Sequence, residues 1–335
     1  MSMKKKHLQW LITIIVLILL LGASILLSLS IGEIPIKLTD MLSILHSKTG
    51  MEYSVLANIR FPRILLAIAV GGTLSMTGAV LQGIYRNPLV EPYTLGISGG
   101  AALGVSICIV MQLHVLGGAY LLPLSGFIGA LITIFVVYFL SMGKGTFSVN
   151  KMLLMGVMIS FIASSAMMFL MSISKAEEVH SIIFWIMGSL DESNNSLINL
   201  MLYSSIAGFV ITYLFAHQLN TLRLGEQKAR HLGLNSGLTI RILFIVLSLL
   251  TGLCVSVAGI IGFVGLIIPH LIKQIAGSDY RILLPSSFLG GSIFIMLCDT
   301  VARTVISPNE LPIGVITGII GGFMFIVVLK IKKTS

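Results

Sequence analysis

The chain has 335 residues, of which 56% are hydrophobic and only 10% are charged, and its mean hydropathy is +1.04. A soluble fold of this composition would expose large apolar patches over its whole surface, so the composition excludes a soluble globular protein. In lipid, the backbone N–H and C=O groups of a spanning segment must be hydrogen-bonded to each other, as they are in an α-helix. The composition therefore predicts an all-α polytopic membrane protein. The three cysteines lie inside apolar runs without paired spacing, which excludes a disulfide framework or a metal knuckle.

Apolar runs long enough to cross a bilayer recur along the whole chain. The first follows three lysines and imitates a signal peptide, but at about 22 residues it is longer than the apolar core of such a peptide. The eighth is short and is interrupted by Pro269 and His270, so it is either a full or a re-entrant span. The sequence predicts one transmembrane domain with ten spans, at residues 8–29, 62–84, 94–112, 119–141, 151–173, 196–217, 240–260, 262–276, 283–305 and 312–330.

The basic residues divide unequally between the two sides of this topology. With the amino terminus inside the cell, fifteen of the 21 fall on the inner side, where Lys and Arg accumulate in membrane proteins. Both termini are therefore predicted to be cytoplasmic, and the net charge of +9 follows from topology without a nucleic-acid partner. The inner set is Lys4, Lys5, Lys6, Arg86, Lys144, Lys151, Arg223, Lys228, Arg230, Arg241, Lys273, Arg281, Lys330, Lys332 and Lys333.

The densest polar segment lies between the sixth and seventh spans, at residues 218–239, and contains L-R-L-G-E-Q-K-A-R-H-L-G-L-N at 222–235. Gly225 and Gly233 delimit a predicted short helix from Glu226 to Leu232. A simple hairpin between two spans needs only a few polar residues. The segment is therefore long enough to present a shaped surface to a partner.

Three arginines remain on the outer side, against the charge rule. Pro62 suits the first position of a helix, which would place Arg63 in the first turn, where the helix dipole disfavours a cation. Two interpretations stay open. The side chains could extend toward lipid phosphates, or Arg60, Arg63 and Arg303 could form a docking ring for carboxylates of an external protein.

Asp299 is the one carboxylate placed well within a predicted span, and such a residue is a functional candidate. Arg303 follows four residues later, in the order that favours an ion pair on one helical face, so a pair that orients Arg303 is favoured over a proton relay. The candidates for a pathway or gate are Asn87, Pro88, Trp185, Pro269, His270 and Asp299.

Two of these candidates mark local structure. Asn87-Pro88 is a turn signal at an inner hairpin. Trp185, with Phe184 and acidic residues around it, predicts a short helix at the outer surface, which either lies in the interface or closes the mouth of a pathway.

No chemistry of catalysis or cofactor binding is apparent. The seven histidines lack metal-ligand spacing, and no nucleophile, base and orienting acid fall together. The glycine-rich run at 96–104 lacks the Gly-Lys-Ser/Thr and the preceding strand of a phosphate loop. We predict no catalytic residue, metal or cofactor in this chain.

A set of short motifs occurs in a fixed order between about residues 60 and 322. They are R-F-P-R at 60–63, S-x-x-G-A-x-L-Q at 75–82, R-N-P-L at 86–89, the polar segment at 222–234, G-I-I-G-F-V-G-L-I-I-P-H at 259–270, G-S-D-Y-R at 277–281 and E-L-P-I-G at 310–314. The ordered set resembles the FecCD permease family, the membrane subunits of binding-protein-dependent ABC importers for iron-siderophores, haem and cobalamin. Two positions depart from the family pattern: Lys273 stands where Arg is frequent, and G-G-F-M-F at 321–325 lacks a proline.

The resemblance implies the cobalamin/siderophore-importer permease fold in the bacterial cytoplasmic membrane. It implies as partners a second permease subunit, identical or paralogous, two cytoplasmic ATPase subunits that carry ATP and Mg, and an external solute-binding protein, expected to be a lipoprotein. Arginines matching Arg60, Arg63 and Arg303 would meet glutamates of the binding protein. The residues implied to contact the ATPase are Leu224, Gly225, Glu226, Ala229, Arg230, Leu232 and Gly233.

The leading hypothesis is therefore the translocation subunit of an ATP-driven importer of ferric siderophores, with haem or cobalamin import by the same machinery as the alternative. An ion-coupled secondary transporter is the alternative from another class. It would have buried acids and broken helices in matching repeats, whereas the sequence offers only Asp299 and one broken segment near Pro269.

Overall fold

The computed structural model describes residues 3–143, 146–147 and 149–332. Lys144 and Lys333 of the predicted inner set lie outside the described residues. The regular secondary structure of the described part is helical apart from one pair of two-residue strands, Met142–Gly143 and Thr146–Phe147. The helices are α1 (Met3–Ser30), α2 (Met41–Ser47), α3 (Met51–Val55), α4 (Phe61–Ile84), α5 (Ile97–Val110), α6 (Leu113–Gly117), α7 (Leu121–Ser141), α8 (Val149–Ile173), α9 (Ala176–Met187), α10 (Asn195–Leu214), α11 (Ala216–Leu222), α12 (Glu226–His231), α13 (Ser236–Ala258), α14 (Val264–Ala276), α15 (Tyr280–Ala302) and α16 (Ile313–Lys332).

Within the described residues, seven helical segments are long and apolar enough to cross a bilayer, and three shorter apolar helices accompany them. The long segments are α1, the continuous α3–α4, α7, α8, α10, α13 and α15, and the shorter helices are α5, α14 and α16. The prediction of an all-α protein with about ten apolar helices is confirmed.

Helix α4 lies at the centre of the fold and packs against α15, α10 and α14. Its small residues allow neighbouring backbones to approach closely, which is how helices associate in lipid without a hydrophobic driving force between them. A Cβ atom on Gly71 would collide with the backbone of Gly291 in α15, and one on Gly78 would collide with the backbone of Gly265 in α14. The small residues of α4 therefore fix the positions of two neighbouring helices.

The helix that contains α4 begins before Pro62, contrary to the prediction. Helix α3, a π-helical turn at Leu56–Arg60 and α4 form one continuous segment from Met51 to Ile84. Pro62 has no N–H to donate to the carbonyl of Asn58, and the π turn changes the hydrogen-bond spacing immediately before it. Because Arg63 lies inside a continuous helix, it is not at the positive end of a helix dipole.

The break near the predicted eighth span lies at residues 259–263, and not at Pro269 as the sequence indicated. Helix α14 continues through Pro269 and has 13 residues, so it is about 20 Å long, shorter than the roughly 30 Å hydrocarbon core. The third span also begins later, at Ile97, because Gly96 adopts a positive φ of 84° after a 3₁₀ turn. The sixth span divides at Phe215 into α10 and α11.

The close approach of α4 and α14 predicts that Gly78→Ala destabilises the protein by about 1–3 kcal/mol, because the new methyl group forces two backbones apart. Gly22→Ala in α1 is the matched control, since nothing lies within 4 Å of the position of its Cβ. The free energy of unfolding of each purified variant is measured in detergent micelles. Equal stability of the two variants would show that the α4–α14 contact is not tight.

Candidate functional site

The polar segment at 218–239, called here the coupling segment, contains a short helix, α12, whose two ends are capped by glycines. Gly225 precedes it with φ of 116°, and Gly233 follows it with φ of 83°. The N–H of Gly233 donates to the carbonyl of Arg230, and the N–H of Leu234 donates to the carbonyl of Ala229, which is a Schellman motif. A helix of six residues is marginal alone, so these caps hold it. The predicted helix between two glycine breaks is confirmed, ending at His231.

Charge further stabilises α12. Glu226 lies in its first turn, and Lys228, Arg230 and His231 lie in its last, as the helix dipole favours. The guanidinium group of Arg230 donates to Glu226 at 2.5 Å and, through Nε, to the hydroxyl of Ser236 at 3.0 Å. Ser236 is the first residue of α13, so this network fixes α12 relative to a long helix.

Two large apolar side chains of the coupling segment are exposed on either side of α12. Leu224 is 58% exposed and Leu232 is 66% exposed, whereas Ala229 between them is fully buried. An open cavity of about 640 Å³ adjoins the helix and is lined by basic side chains that include Arg86 and Lys228. An ordered apolar and basic surface of this kind, outside the long apolar helices, is typical of a protein–protein contact.

Arg86 connects the coupling segment to the end of α4. Its guanidinium group donates to the carbonyl of Leu222 at 3.4 Å, and a Cβ atom on Gly225 would approach the same group. The next residues form the predicted turn, in which the side chain of Asn87 accepts from the N–H of Leu89 at 2.9 Å, and Pro88 is exposed. We call this end of the bundle the coupling end.

The broken segment at 259–263 is held by side chains from the chain between α4 and α5. The hydroxyl of Tyr93 donates to the carbonyl of Ile261 at 3.1 Å and accepts from its N–H at 3.2 Å, and Glu91 accepts from the N–H of Phe263 at 3.4 Å. Non-helical backbone at membrane depth requires such partners. The non-helical conformation of residues 259–263 is therefore stabilised by specific hydrogen bonds.

Gln82 satisfies the carbonyl group that Pro269 leaves without a helical donor. A residue at position 269 normally donates its N–H to the carbonyl of Gly265, and proline cannot. The Nε2 atom of Gln82 donates to that carbonyl at 3.0 Å and to the carbonyl of Leu266 at 3.1 Å. The Nζ atom of Lys273 donates to Oε1 of Gln82 at 2.9 Å. This pairing explains how α14 continues through a proline.

The opposite end of α4, called here the arginine end, carries a buried cluster of ion pairs. Arg63 contacts Asp191 at 2.8 Å, Glu310 at 2.7 Å and Asp299 at 3.7 Å. Arg303 donates to Asp299 at 2.9 Å, which confirms the predicted pair four residues apart. Asp299 and both arginines are at most 7% exposed, whereas Asp191 and Glu310 remain largely accessible.

The three arginines are not presented as an exposed docking ring. Arg60 is 2% exposed and donates to the carbonyls of Leu29 and Ile34, and Arg303 also donates to the hydroxyl of Ser28. Side chains this deeply buried must be paired, and here they are paired within the chain. An external carboxylate could reach Arg63 only by displacing Asp191 or Glu310.

The six predicted pathway or gate residues do not converge on one site. Asn87 and Pro88 lie at the coupling end and Asp299 lies at the arginine end. Pro269 is buried inside α14, and His270 beside it is half-buried. Trp185 is half-buried in α9, a short helix as predicted, and packs near Gly126.

Sequence reasoning did not assign a role to several residues that complete these sites. Gln82 was visible as a lone amide within an apolar span, but its partner is a carbonyl group made available by a distant proline. Asp191 and Glu310 lie in loops, and only the fold brings them to Arg63. Among the described residues, no group of three or more His, Cys, Asp and Glu side chains is arranged to hold a metal ion.

The fold is a bundle of apolar helices with ordered polar contacts at both ends of its central helix, and comparison with known proteins gives its class. The sequence pattern of the FecCD transport family matches residues 17–331. The hemin transport system permease protein of Yersinia pestis is 36% identical over 294 residues, covering 86% of this chain and 87% of that protein. A cobalamin import system permease protein of Halobacterium salinarum is 37% identical over 279 residues, covering 83% of this chain and 74% of that protein.

A solved structure described as an inward-facing conformation of a metal-chelate type ABC transporter superposes with a TM-score of 0.83 and 31% sequence identity. The match covers 96% of this chain and 99% of that chain. This protein belongs to the FecCD transport family and is a permease subunit of an ABC importer rather than an enzyme.

The interaction of Gln82 with the proline-containing helix predicts a specific double-mutant result. Gln82→Leu should cost about 1–3 kcal/mol, because it leaves the carbonyl of Gly265 and the ammonium group of Lys273 without their partner. In a Pro269→Ala background the residue at 269 regains its N–H, so the same substitution should cost less. The free energy of unfolding is measured in detergent micelles for wild type, the two single variants and the double variant. An identical cost in both backgrounds would contradict the assignment.

Proposed function

We propose that this permease imports a ferric siderophore, delivered by an external binding protein, and that the coupling segment receives the ATPase on the cytoplasmic side. The observation that supports the ATPase contact is the exposure of two large apolar side chains, Leu224 and Leu232. Both leucines flank a helix that is capped at both ends and hydrogen-bonded to α13, so the surface is rigid before any partner binds. A preorganised surface loses less conformational entropy on association.

The charge distribution supports the cytoplasmic position of this surface. Lys228 and Arg230 belong to the side that carries most of the basic residues, and Lys/Arg-rich loops lie in the cytoplasm. Closure of two ATPase subunits would then move the coupling segments of two permease subunits, and the pathway would open alternately to each side as a two-state element.

At the arginine end, external docking to Arg60, Arg63 and Arg303 remains a prediction with a modified mechanism. Carboxylates of the binding protein would have to exchange with Asp191 and Glu310, which are the accessible members of the cluster. Such docking would weaken with salt, because salt screens the attraction between the carboxylates of the binding protein and the arginines.

The relatives support the broader class of substrate, a metal chelate, of which a ferric siderophore is one kind. Their names specify hemin and cobalamin, and the similar solved structure is described as metal-chelate type. These names also favour the second candidate, import of haem or cobalamin by the same machinery.

The ATPase contact predicts that Leu224→Ser combined with Leu232→Ser weakens association with the partner ATPase at least tenfold. Each leucine buried in an interface contributes about 1.5–3 kcal/mol, and tenfold corresponds to about 1.4 kcal/mol. Stability of the permease itself should change little, because both side chains are exposed.

Leu42→Ser is the control, because Leu42 is 81% exposed on α2, away from the coupling segment. Co-purification of the ATPase with detergent-solubilised permease measures the association. Equal recovery of ATPase with the double variant and with wild type would refute the contact.

The substrate proposal predicts ATP-dependent uptake of an iron-loaded siderophore by proteoliposomes that contain the permease, its ATPase and its binding protein. Iron-free siderophore is the matched control, and haem and cobalamin are the competing substrates. Faster uptake of haem or cobalamin would assign this permease to the second candidate function.

A further inference from the structure

The loop between α14 and α15 is hydrogen-bonded to the coupling segment at a second place, remote from Glu226. The Nδ2 atom of Asn220 donates to Oδ1 of Asp279 at 2.8 Å, and the N–H of Tyr280 donates to Oδ1 of Asn220 at 3.0 Å. Arg223 donates to the carbonyl of Ser278 at 2.5 Å. The amide group of Asn220 therefore both donates to and accepts from the start of α15. We call this pair of hydrogen bonds the Asn220–Asp279 junction.

The carboxylate of Asp279 is the centre of this junction. It caps α15 by accepting from the N–H of Arg281 at 3.1 Å, and it also binds the Arg281 side chain and, at 3.5 Å, the ammonium group of Lys6. Hydrogen bonds from Arg281 hold the pKa of Asp279 well below its usual range, with a further contribution from Asn220. The junction is therefore charged at neutral pH. The stability that it contributes is present above the unfolded-state pKa of Asp279 and is lost as the pH falls toward the lower folded-state pKa.

Helix α15 is attached to α4 along its length. The hydroxyl of Tyr280 donates to the carbonyl of Ala79 at 3.2 Å, and the hydroxyl of Ser292 donates to the carbonyl of Ile68 at 3.0 Å. Between these points Gly71 and Gly291 bring the two backbones together. We expect two helices packed this closely to move together, because close backbone contacts leave little room for one to shift without the other.

The other end of α15 holds the buried acid of the arginine end. Asp299 lies in its last turn, Arg303 follows directly, and Arg63 on α4 faces Asp299. With 23 residues, α15 extends about 35 Å between the two sites. One continuous helix, with Pro285 in its second turn, therefore begins at the coupling segment and ends at the ion-pair cluster.

We infer that the Asn220–Asp279 junction positions α15 so that movement of the coupling segment is transmitted along the α4–α15 pair to the ion-pair cluster around Arg63. This inference rests on the proposed ATPase contact of the coupling segment. Asn220 and Asp279 are positioning residues, because they act by holding the start of α15 against the coupling segment. The transmission is reciprocal, so a change at Asp191 or Glu310 also biases the position of α12.

A simpler role for Asp279 is that of a helix cap, and the two roles can be separated. Asn220→Ala removes both hydrogen bonds of the Asn220 amide, while Asp279 still caps α15 through the N–H of Arg281 and the Arg223–Ser278 contact stays in place. Lys6→Ala removes a different partner of the same carboxylate, a 3.5 Å ion pair with a largely exposed lysine, and is the matched control.

The experiment uses the complete complex in nanodiscs, with spin labels at Ser181→Cys on α9 and Val305→Cys after α15. Both positions are exposed near the arginine end, and the three native cysteines are buried. The distance between the labels is measured without nucleotide and with a non-hydrolysable ATP analogue, in wild type, Asn220→Ala and Lys6→Ala. Transported substrate per ATP hydrolysed is measured in parallel with the same variants in proteoliposomes.

We expect the nucleotide-dependent change in distance to be present in wild type and Lys6→Ala and to be lost in Asn220→Ala, with several-fold less transport per ATP. A mere loss of stability would not remove a nucleotide response from protein that remains assembled. A distance that ignores nucleotide in wild type, or that responds equally in Asn220→Ala, would overturn the inference. Because the distance is read without substrate, failure of the siderophore proposal alone leaves this result interpretable.

Discussion

A polar group without a partner is costly in the bilayer, and this cost explains several contacts in the bundle. This chain supplies a side chain from elsewhere in the bundle in two such places: Gln82 donates to the carbonyl of Gly265, and Tyr93 donates to the carbonyl of Ile261 in the broken segment. Unpaired charge is excluded in the same way, so Asp299 is enclosed by two arginines. The polar chemistry that remains accessible is concentrated at the two ends of α4.

Those two ends have different character, and function follows from the difference. The coupling end presents a short capped helix with exposed leucines and basic side chains, which suits a protein partner. The arginine end presents carboxylates over buried guanidinium groups, so an anionic partner must exchange with groups already in place. Close packing of α4 with α15 connects the two ends, and the proposed mechanism uses this connection between the ATPase contact and the outer entrance.

The sequence predicted the membrane class, about ten apolar helices, the glycine-delimited helix α12 and the Asp299–Arg303 pair, because each depends on local spacing. It was wrong about the helix start at Pro62 and about the break at Pro269. In both cases a local proline rule was overridden by compensation from elsewhere, a π turn in the first case and the amide of Gln82 in the second. The burial of Arg63 could not be predicted, since Asp191 and Glu310 reach it from distant loops.

The orientation of the coupling segment is the claim on which this account depends most. Labelling of single cysteines with a membrane-impermeant maleimide tests it directly, using Leu232→Cys beside α12 and Leu42→Cys on α2, both highly exposed. In intact cells we expect labelling of the cysteine at position 42 alone, with position 232 becoming reactive only after the membrane is opened. Labelling at 232 in intact cells would place the coupling segment outside and contradict the importer mechanism.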